Sequence, residues 1–538
     1  MAKSISIVTG IPGTGVEKSL IKAKTVSQRR RIGTQITKVT SLEKEYLQPK
    51  AKRYVERLGL HDNHIMSVLT LPQPLLQKLW VESFEKAMNA LSKDKSQGTA
   101  LLTFHSCYYH LQTKQYVSIV DFDTILKWKE SIAAIITLID DVFDCQQRLC
   151  AARGRRLLDP PRNLEESLLQ LLQLLHWRKQ EILISKSLAR ACGKELAVYG
   201  AKHSVDNFLR MLDKDTLSVY LSHPISDVRQ AYKSGETSVV SAFTEEYRKH
   251  LEMLQTRFVV FEPTSIDEYR FAVGASLGRR WPLDGDIPAE AQLLWTKPQP
   301  CRSDYIFPSG WEDDNRALNE NAQPLVAYVS DLIDRHTTGT DYQLIDQSNL
   351  VYAFRPLAYG RASTGVEKEL KYAYARHQLG LLKDSGPFAI IFSPSSDQED
   401  YPFRSFWDGA ISRWAEEQRI KATAAQVEKL KKTLLRDETR VRGWIEAGNQ
   451  AELTTYLIEQ IQECAITFSA EERSRRPMVG DSKKIRHDEA TRCAQKVVEL
   501  HSERPYIEGF GLPIYPIFEE AEDAVTDFCH CTSRNPND

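Results

Sequence analysis

DYQLIDQSNLVYAFRPLAYGRASTGVEKELKYAY, residues 341–374, sets the pattern that the rest of the chain follows. Leu350 to Phe354 is an unbroken apolar run after a polar start, long enough for a buried strand. A loop with Pro356 and Gly360 follows, and a helical pattern begins after Ser363. Strand, loop and helix in that order make one unit of a parallel sheet. Ligands of such sheets gather at the carboxyl ends of the strands, so the loop from Arg355 to Ser363 and the first helical turn are expected to face a site.

Two carboxylates bracket this unit. Glu369 lies early in the helix, where the positive end of the macrodipole favours the ionised form, and an ionised carboxylate can attack an electrophilic carbon. Asp341 stands before the strand, where an Asp after Thr340 also suits the start of a turn. A nucleophile and a proton donor are what cleavage of a glycosidic bond requires. Thr364 with Glu367 three residues on fits a capping box, which makes Glu367 structural.

Ser363, Gly365, Glu369 and Leu370, an SxGxxxEL pattern with the small Ala373 after it, resemble the nucleoside 2-deoxyribosyltransferase superfamily and its relatives, the deoxynucleoside 5′-monophosphate N-glycosidases. The resemblance implies that Glu369 forms a glycosyl-enzyme intermediate and that Asp341 acts on base and sugar. It implies that Ser363 receives a 5′-phosphate, because Ser363 stands where the monophosphate-hydrolysing branch has a phosphate-binding serine, and that Gly365 is a substrate contact. It also implies a YxxGP-like turn after the first strand, matched by Tyr220, Leu221, Ser222, His223 and Pro224, with Ser222 and His223 in place of the usual small residues. Tyr220, Ser222 and His223 are thus candidate substrate contacts. A second strand, Phe258 to Phe261, ends in EPTSIDE. No cofactor is required for this chemistry, and composite sites in the superfamily imply a homo-oligomer.

Another such unit stands at the other end of the chain. Ser4 to Thr9 reads as a strand and runs into GIPGTGVEKS, residues 10–19. A glycine-rich loop between strand and helix holds phosphates through converging backbone N–H groups and the helix dipole. Gly10, Gly13, Gly15, Lys18 and Ser19 are the candidate nucleotide contacts, with ATP and Mg²⁺ as the cofactors they would take. The stretch resembles the P-loop of adenylate kinases, but Val16 follows Gly15 where that motif has lysine. Ala100 to Phe104 with His105, Ala133 to Ile139 with Asp140 and Asp141, a helix with Arg148, and Arg153 to Arg156 in place of the lid extend the likeness in strand order. Without the loop lysine, the module is expected to sense or position a nucleotide, or to serve as a scaffold.

The fold class that follows is α/β, with two doubly wound parallel-sheet domains, kinase-like over 1–195 and deoxyribosyltransferase-like over 196–400, and a helical C-terminal region over 401–538. An insertion near 275–335, irregular from Trp281 to Asn321, is expected to cover the Glu369 pocket. Leu164 to Leu188 reads as an amphipathic helix pair, Gly193 to Leu212 as a helical connector, and Pro387 to Ser393 as the last strand of the sheet. Glu472 to His487 is a charged surface segment, and Tyr506 to Phe518 an aromatic stretch that must dock somewhere.

A formal net charge of −1 gives no bulk attraction to nucleic acid or anionic membrane, and 42% hydrophobic with 27% charged residues is the balance of a soluble fold. No membrane partner or nucleic-acid partner is expected, and the chain reads as cytoplasmic. Nine cysteines without a framework spacing fit reduced thiols, and Cys529, His530 and Cys531 fit an exposed tail better than a metal site. The expected function is N-glycosidase or deoxyribosyltransferase action on a nucleotide. An NAD glycohydrolase, a nucleoside-monophosphate kinase and a non-catalytic nucleotide sensor stand as alternatives.

Overall fold

The computed structural model describes residues 4–30, 34–59, 65–94, 98–110, 115–151, 158–159, 161, 164–213, 216–233, 237–266, 323–358, 363–381, 387–399, 430, 433, 436–463, 488, 490–495, 497–498 and 512–533. By its internal contacts the chain divides into two compact units, Met1–Tyr220 with Gly235–Asn349, and Leu221–Ser234 with Leu350–Asp538. The architecture is mixed α/β with two five-stranded parallel sheets.

In the first sheet, β1 (Ser4–Thr9) runs through the glycine loop into α1 (Val16–Arg30). Then come β2 (Ile36–Ser41), α2 (Gln48–Arg57), α3 (Ile65–Val68), α4 (Gln73–Ser92) and β3 (Thr99–Thr103). A hairpin of β4 (Tyr108–His110) and β5 (Gln115–Val117) and the short α5 (Phe122–Leu126) lead to β6 (Ile132–Ile139). The module closes with α6 (Val142–Ala151), α7 (Leu164–Ala191), β7 (Leu196–Gly200) and α8 (Val205–Met211). The strands pair in parallel in the order β2-β3-β1-β6-β7. Ile5, Ile7, Leu102 and Ile135 are buried with Trp80, Phe84 and Phe104, whose rings meet at centroid distances of 5.1 to 6.3 Å. Burying each such large side chain contributes about 1.5–3 kcal/mol. The chain leaves β1 toward β2 on one side and β6 toward β7 on the other, so the crevice of this sheet lies between the carboxyl ends of β1 and β6.

The second sheet is built from β8 (Ser218–Ser222), α9 (Ile225–Lys233), α10 (Thr237–Arg257), β9 (Val259–Phe261), α11 (Gln323–Asp346) and β10 (Leu350–Phe354). It continues through α12 (Thr364–Gln378), β11 (Ala389–Phe392), α13 (Ser395–Glu399), α14 (Glu438–Glu446), α15 (Gln450–Glu463), β12 (Ile514–Tyr515) and α16 (Phe518–Ser533). Its order is β12-β11-β10-β8-β9. The chain leaves β8 toward β9 and β10 toward β11, in opposite directions, so the switch point lies between β8 and β10.

Two edge strands of the first unit carry side-chain amides as partners. Val198 of β7 donates its N–H to Gln347 Oε1 at 2.8 Å and accepts from Gln347 Nε2 at 2.6 Å. Val260 of β9 does the same with Asn207, at 2.7 and 2.6 Å. His203 completes the β9 side: Nδ1 donates to the Gly200 carbonyl at 3.2 Å and Nε2 accepts from Glu262 N at 2.9 Å. Both bonds require the neutral imidazole, and burial pushes its pKa down to about 4.

Several expectations change. Gly193 to Leu212 is not a helical connector, because Leu196–Gly200 is a buried strand of the first sheet and only Val205–Met211 is helical. Leu164–Ala191 is one continuous helix, not a pair, as befits a stretch with neither Gly nor Pro to break it. The sheet does not end at residue 393: Ile514–Tyr515, in the later part of the aromatic stretch, pairs in parallel with β11, while residues 506–511 lie outside the described residues. Cys529 to Cys531 lie in α16 and not in a tail. Arg153–Arg156, Gly360, Trp281–Asn321 and Glu472–His487 lie outside the described residues, as do most of 275–335 and of 401–442. Among the described residues no helix is long and apolar enough to cross a membrane.

Candidate functional site at the second switch point

β8 ends in Ser222 and His223, and after β10 comes α12, which carries Glu369. On α12 the residues Val366, Leu370 and Ala373 are buried at helical spacing and fix which face meets the sheet. Glu369, three positions after Val366, falls on the shoulder of that face and is half-buried. There the Ser222 hydroxyl, itself fully buried, donates to Glu369 Oε2. A carboxylate oriented by a hydroxyl at the carboxyl rim of a parallel sheet has the placement that nucleophilic attack on a bound ligand needs.

The first turn of α12 faces the same rim. Ser363 is its N-cap, buried, and makes no side-chain capping bond. The expected capping box at Thr364 fails because Thr364 is already helical, and Glu367 instead pairs with Lys371 at 2.6 Å. A Cβ placed on Gly365 would meet nothing within 4 Å, so space stands open over this turn. Helix N-termini with such space accept anions through backbone N–H groups.

Other expected residues fall elsewhere. Asp341 is not at a turn: it lies inside α11, whose chain feeds the amino end of β10, whereas Glu369 follows the carboxyl end. Tyr220 is fully buried within β8. His223 is 4% exposed, next to Ser222 at the strand end.

Two residues complete this rim: Arg355, at the head of the loop expected to face the site, and Asp397, which the sequence did not single out. Arg355, the first residue after β10, has φ +47°, the only positive φ at a non-glycine among the described residues. Such backbone costs about 1–3 kcal/mol, and the following proline disfavours it further. Its guanidinium grips Asp397 of α13 with two bonds of 2.8 Å, and Asp397 is 6% exposed. The Arg-Pro pair at a strand end was the available signal; nothing in the sequence pointed to a partner 42 residues away.

At the first switch point the glycine loop has the expected form. Gly13 and Gly15 take φ +95° and +71°, and α1 starts at Val16. Lys18 is exposed, Ser19 N bonds the Gly15 carbonyl within the helix, and Glu17 pairs with Lys44. The cation at this loop is Arg148 of α6, which donates to the Gly13 carbonyl and meets Asp140 at 2.6 Å.

Protein groups also occupy the rest of that rim. Glu181, fully buried on α7, accepts from the backbone N–H groups of Gly10 at 3.1 Å, Ser106 at 2.8 Å and Cys107 at 2.7 Å. Burial raises its pKa, opposed by His105 and by these three amides. Burial and Glu181 push the Cys107 thiol up to about 12, which leaves it unreactive. His105 Nδ1 donates to the Gly10 carbonyl. Lys202, just beyond β7, lies 2.7 Å from Asp144, 3.7 Å from Asp140 and 3.8 Å from Asp141, all buried. Burial works against the Lys202 charge, but the three carboxylates prevail and raise its pKa. Among the described residues no group of His, Cys, Asp and Glu side chains could hold a metal ion. No protein-family model matches this chain, and no curated protein matches it either.

Proposed function

We propose that the chain cleaves the N-glycosidic bond of a nucleotide, a nucleoside 5′-monophosphate being the favoured substrate. Glu369 attacks C1′ as the C1′–N bond breaks, the base leaves with the bonding electron pair and takes a proton from solvent water, and water (giving up a proton) or a second base then displaces Glu369 from the glycosyl-enzyme. Ser222 orients the carboxylate, and Ser363 with the open turn at Gly365 receives the phosphate. The observation that carries this reading is the Ser222–Glu369 hydrogen bond at the β8–β10 switch point. It agrees with the deoxyribosyltransferase-like SxGxxxEL pattern on the same helix. Asp341 has no part in the proposal, because ligands of parallel sheets sit at carboxyl ends and α11 feeds the amino end of β10. Phosphoryl transfer at the glycine loop has less support, since Val16 replaces the lysine and Lys18 is exposed.

The test is base release, followed by chromatography, from a panel of nucleosides, nucleoside monophosphates and NAD. Release by the wild-type chain that is lost in Glu369→Ala supports the proposal, and the panel names the substrate. Release that persists in Glu369→Ala, or none from any member of the panel, overturns it.

A further inference from the structure

We infer that Arg355 and Asp397 form a positioning pair that sets where the Glu369 carboxylate stands, an inference that rests on Glu369 being the nucleophile. Arg355 carries a backbone conflict. Position 355 has a conformation that suits glycine, yet it carries arginine, and the next residue is proline. Something outside the local sequence must hold it there.

Three bonds do so. Arg355 N donates to the Phe392 carbonyl at 2.7 Å, which carries the β10–β11 pairing one residue past the strand. The guanidinium then forks onto both oxygens of Asp397. Ser393 Oγ reaches the same carboxylate at 3.4 Å, from the residue that follows β11. A planar guanidinium bound at two points fixes direction as well as distance, which a lysine at 355 would not do.

From that fixed point the chain turns back. Ala358 N bonds the Arg355 carbonyl at 3.0 Å, and Ser363 N bonds the Pro356 carbonyl at 2.9 Å. The second bond ties the N-cap of α12 to the end of β10. Glu367 N bonds the Ser363 carbonyl at 2.9 Å and starts the helix, and Glu369 follows within the next turn. The path from Asp397 through Arg355, Pro356 and Ser363 to Glu369 is thus short and hydrogen-bonded throughout. It ends where Glu369 meets Ser222. A shift of the α12 start by a fraction of a turn would carry the carboxylate away from Ser222 and from the sugar carbon it is to attack. Neither Arg355 nor Asp397 need touch substrate for this role.

The experiment compares base release and amide hydrogen exchange in the full chain for wild type, Asp397→Asn, Arg355→Lys and Arg355→Gly. Arg355→Gly relieves the backbone conflict while it removes the fork, so it separates strain from positioning. The expected result is a fall in kcat of about 10- to 100-fold in Asp397→Asn and Arg355→Gly. KM should stay within about twofold, because binding of ground state and transition state is not uniformly weakened. Arg355→Lys should fall between these and wild type. Wild-type kcat in both Asp397→Asn and Arg355→Gly overturns the inference. If the wild-type chain releases no base, the glycosidase reading fails and amide exchange decides the inference alone. Faster exchange from Ser363 to Glu369 in Asp397→Asn, with β10 unchanged, supports the pair. Unchanged exchange there overturns it.

Discussion

At the β1–β6 rim a carboxylate, a guanidinium and an ammonium group are tied to protein partners inside the fold. At the β8–β10 rim a half-buried carboxylate accepts from the Ser222 hydroxyl, and the helix turn in front of it is open over Gly365. Both rims stand at switch points of parallel sheets, and both have a loop that leads into a helix. They differ in what the polar groups face. Glu181 takes three backbone N–H groups of the first rim, and Arg148 lies on its glycine loop, so the charges there are spent on structure. Topology alone therefore does not locate chemistry. The rim to test is the one whose carboxylate is held but not enclosed.

The contrast breaks most sharply at Glu369. Glu369→Gln should lower base release by at least about 10³-fold while leaving the denaturation midpoint near that of wild type. Arg148→Ala should leave turnover near wild type, and loss of turnover there would contradict the division between the rims. Lys202→Met probes the closed rim as a stability element. Removing one cation from three buried carboxylates should cost about 3–5 kcal/mol in urea unfolding. A loss below about 1 kcal/mol would mean that the cluster is neutralised by other means.

A further test uses pH. His203 is neutral in the fold with a pKa of about 4, against 6.5 when unfolded. The unfolded chain therefore binds more protons between these values. The stabilisation is fully present above pH 6.5 and is lost as the pH falls toward 4, in total about 3 kcal/mol. Unfolding midpoints at pH 7.5 and 4.5 should show this loss, and His203→Gln should flatten it. The smallest effect is expected at Gly365→Ala. Helix propensity should raise stability by about 0.5 kcal/mol, because the added methyl meets open space. A monophosphate seated on that turn would lose affinity, seen as a raised KM with kcat little changed. An unaltered KM would remove the α12 N-terminus from the phosphate site.

The strands legible in the sequence were those with short, mostly apolar or alternating stretches and clear stops. Ser4–Thr9 ends at Gly10, Leu350–Phe354 ends before a proline, and Ser218–Ser222 stops short of Pro224; each lies where the pattern put it. Leu196–Gly200 was missed because the four apolar residues Leu196 to Tyr199, ending at Gly200, read equally well as part of a helix, and only pairing with β6 distinguishes the two. Ser222 and Glu369 were singled out by residue type and pattern. Their contact spans 147 positions, and no spacing rule reaches so far. The Lys202 cluster and the Arg355–Asp397 fork were illegible for the same reason, since partners that meet through a sheet leave no local trace.

The amide groups of Gln347 and Asn207 have a consequence beyond the fold itself. An unpaired strand edge is a template onto which another chain can add a strand, the usual route to runaway assembly. β7 and β9 each have their central N–H and C=O already taken by a side chain from their own unit. Growth by strand addition is therefore blocked at those two edges, and β2 and β12 are the remaining outer edges of the two five-stranded sheets. Two carboxamides thus act as stoppers, each closing one outer edge of one five-stranded sheet to strand addition.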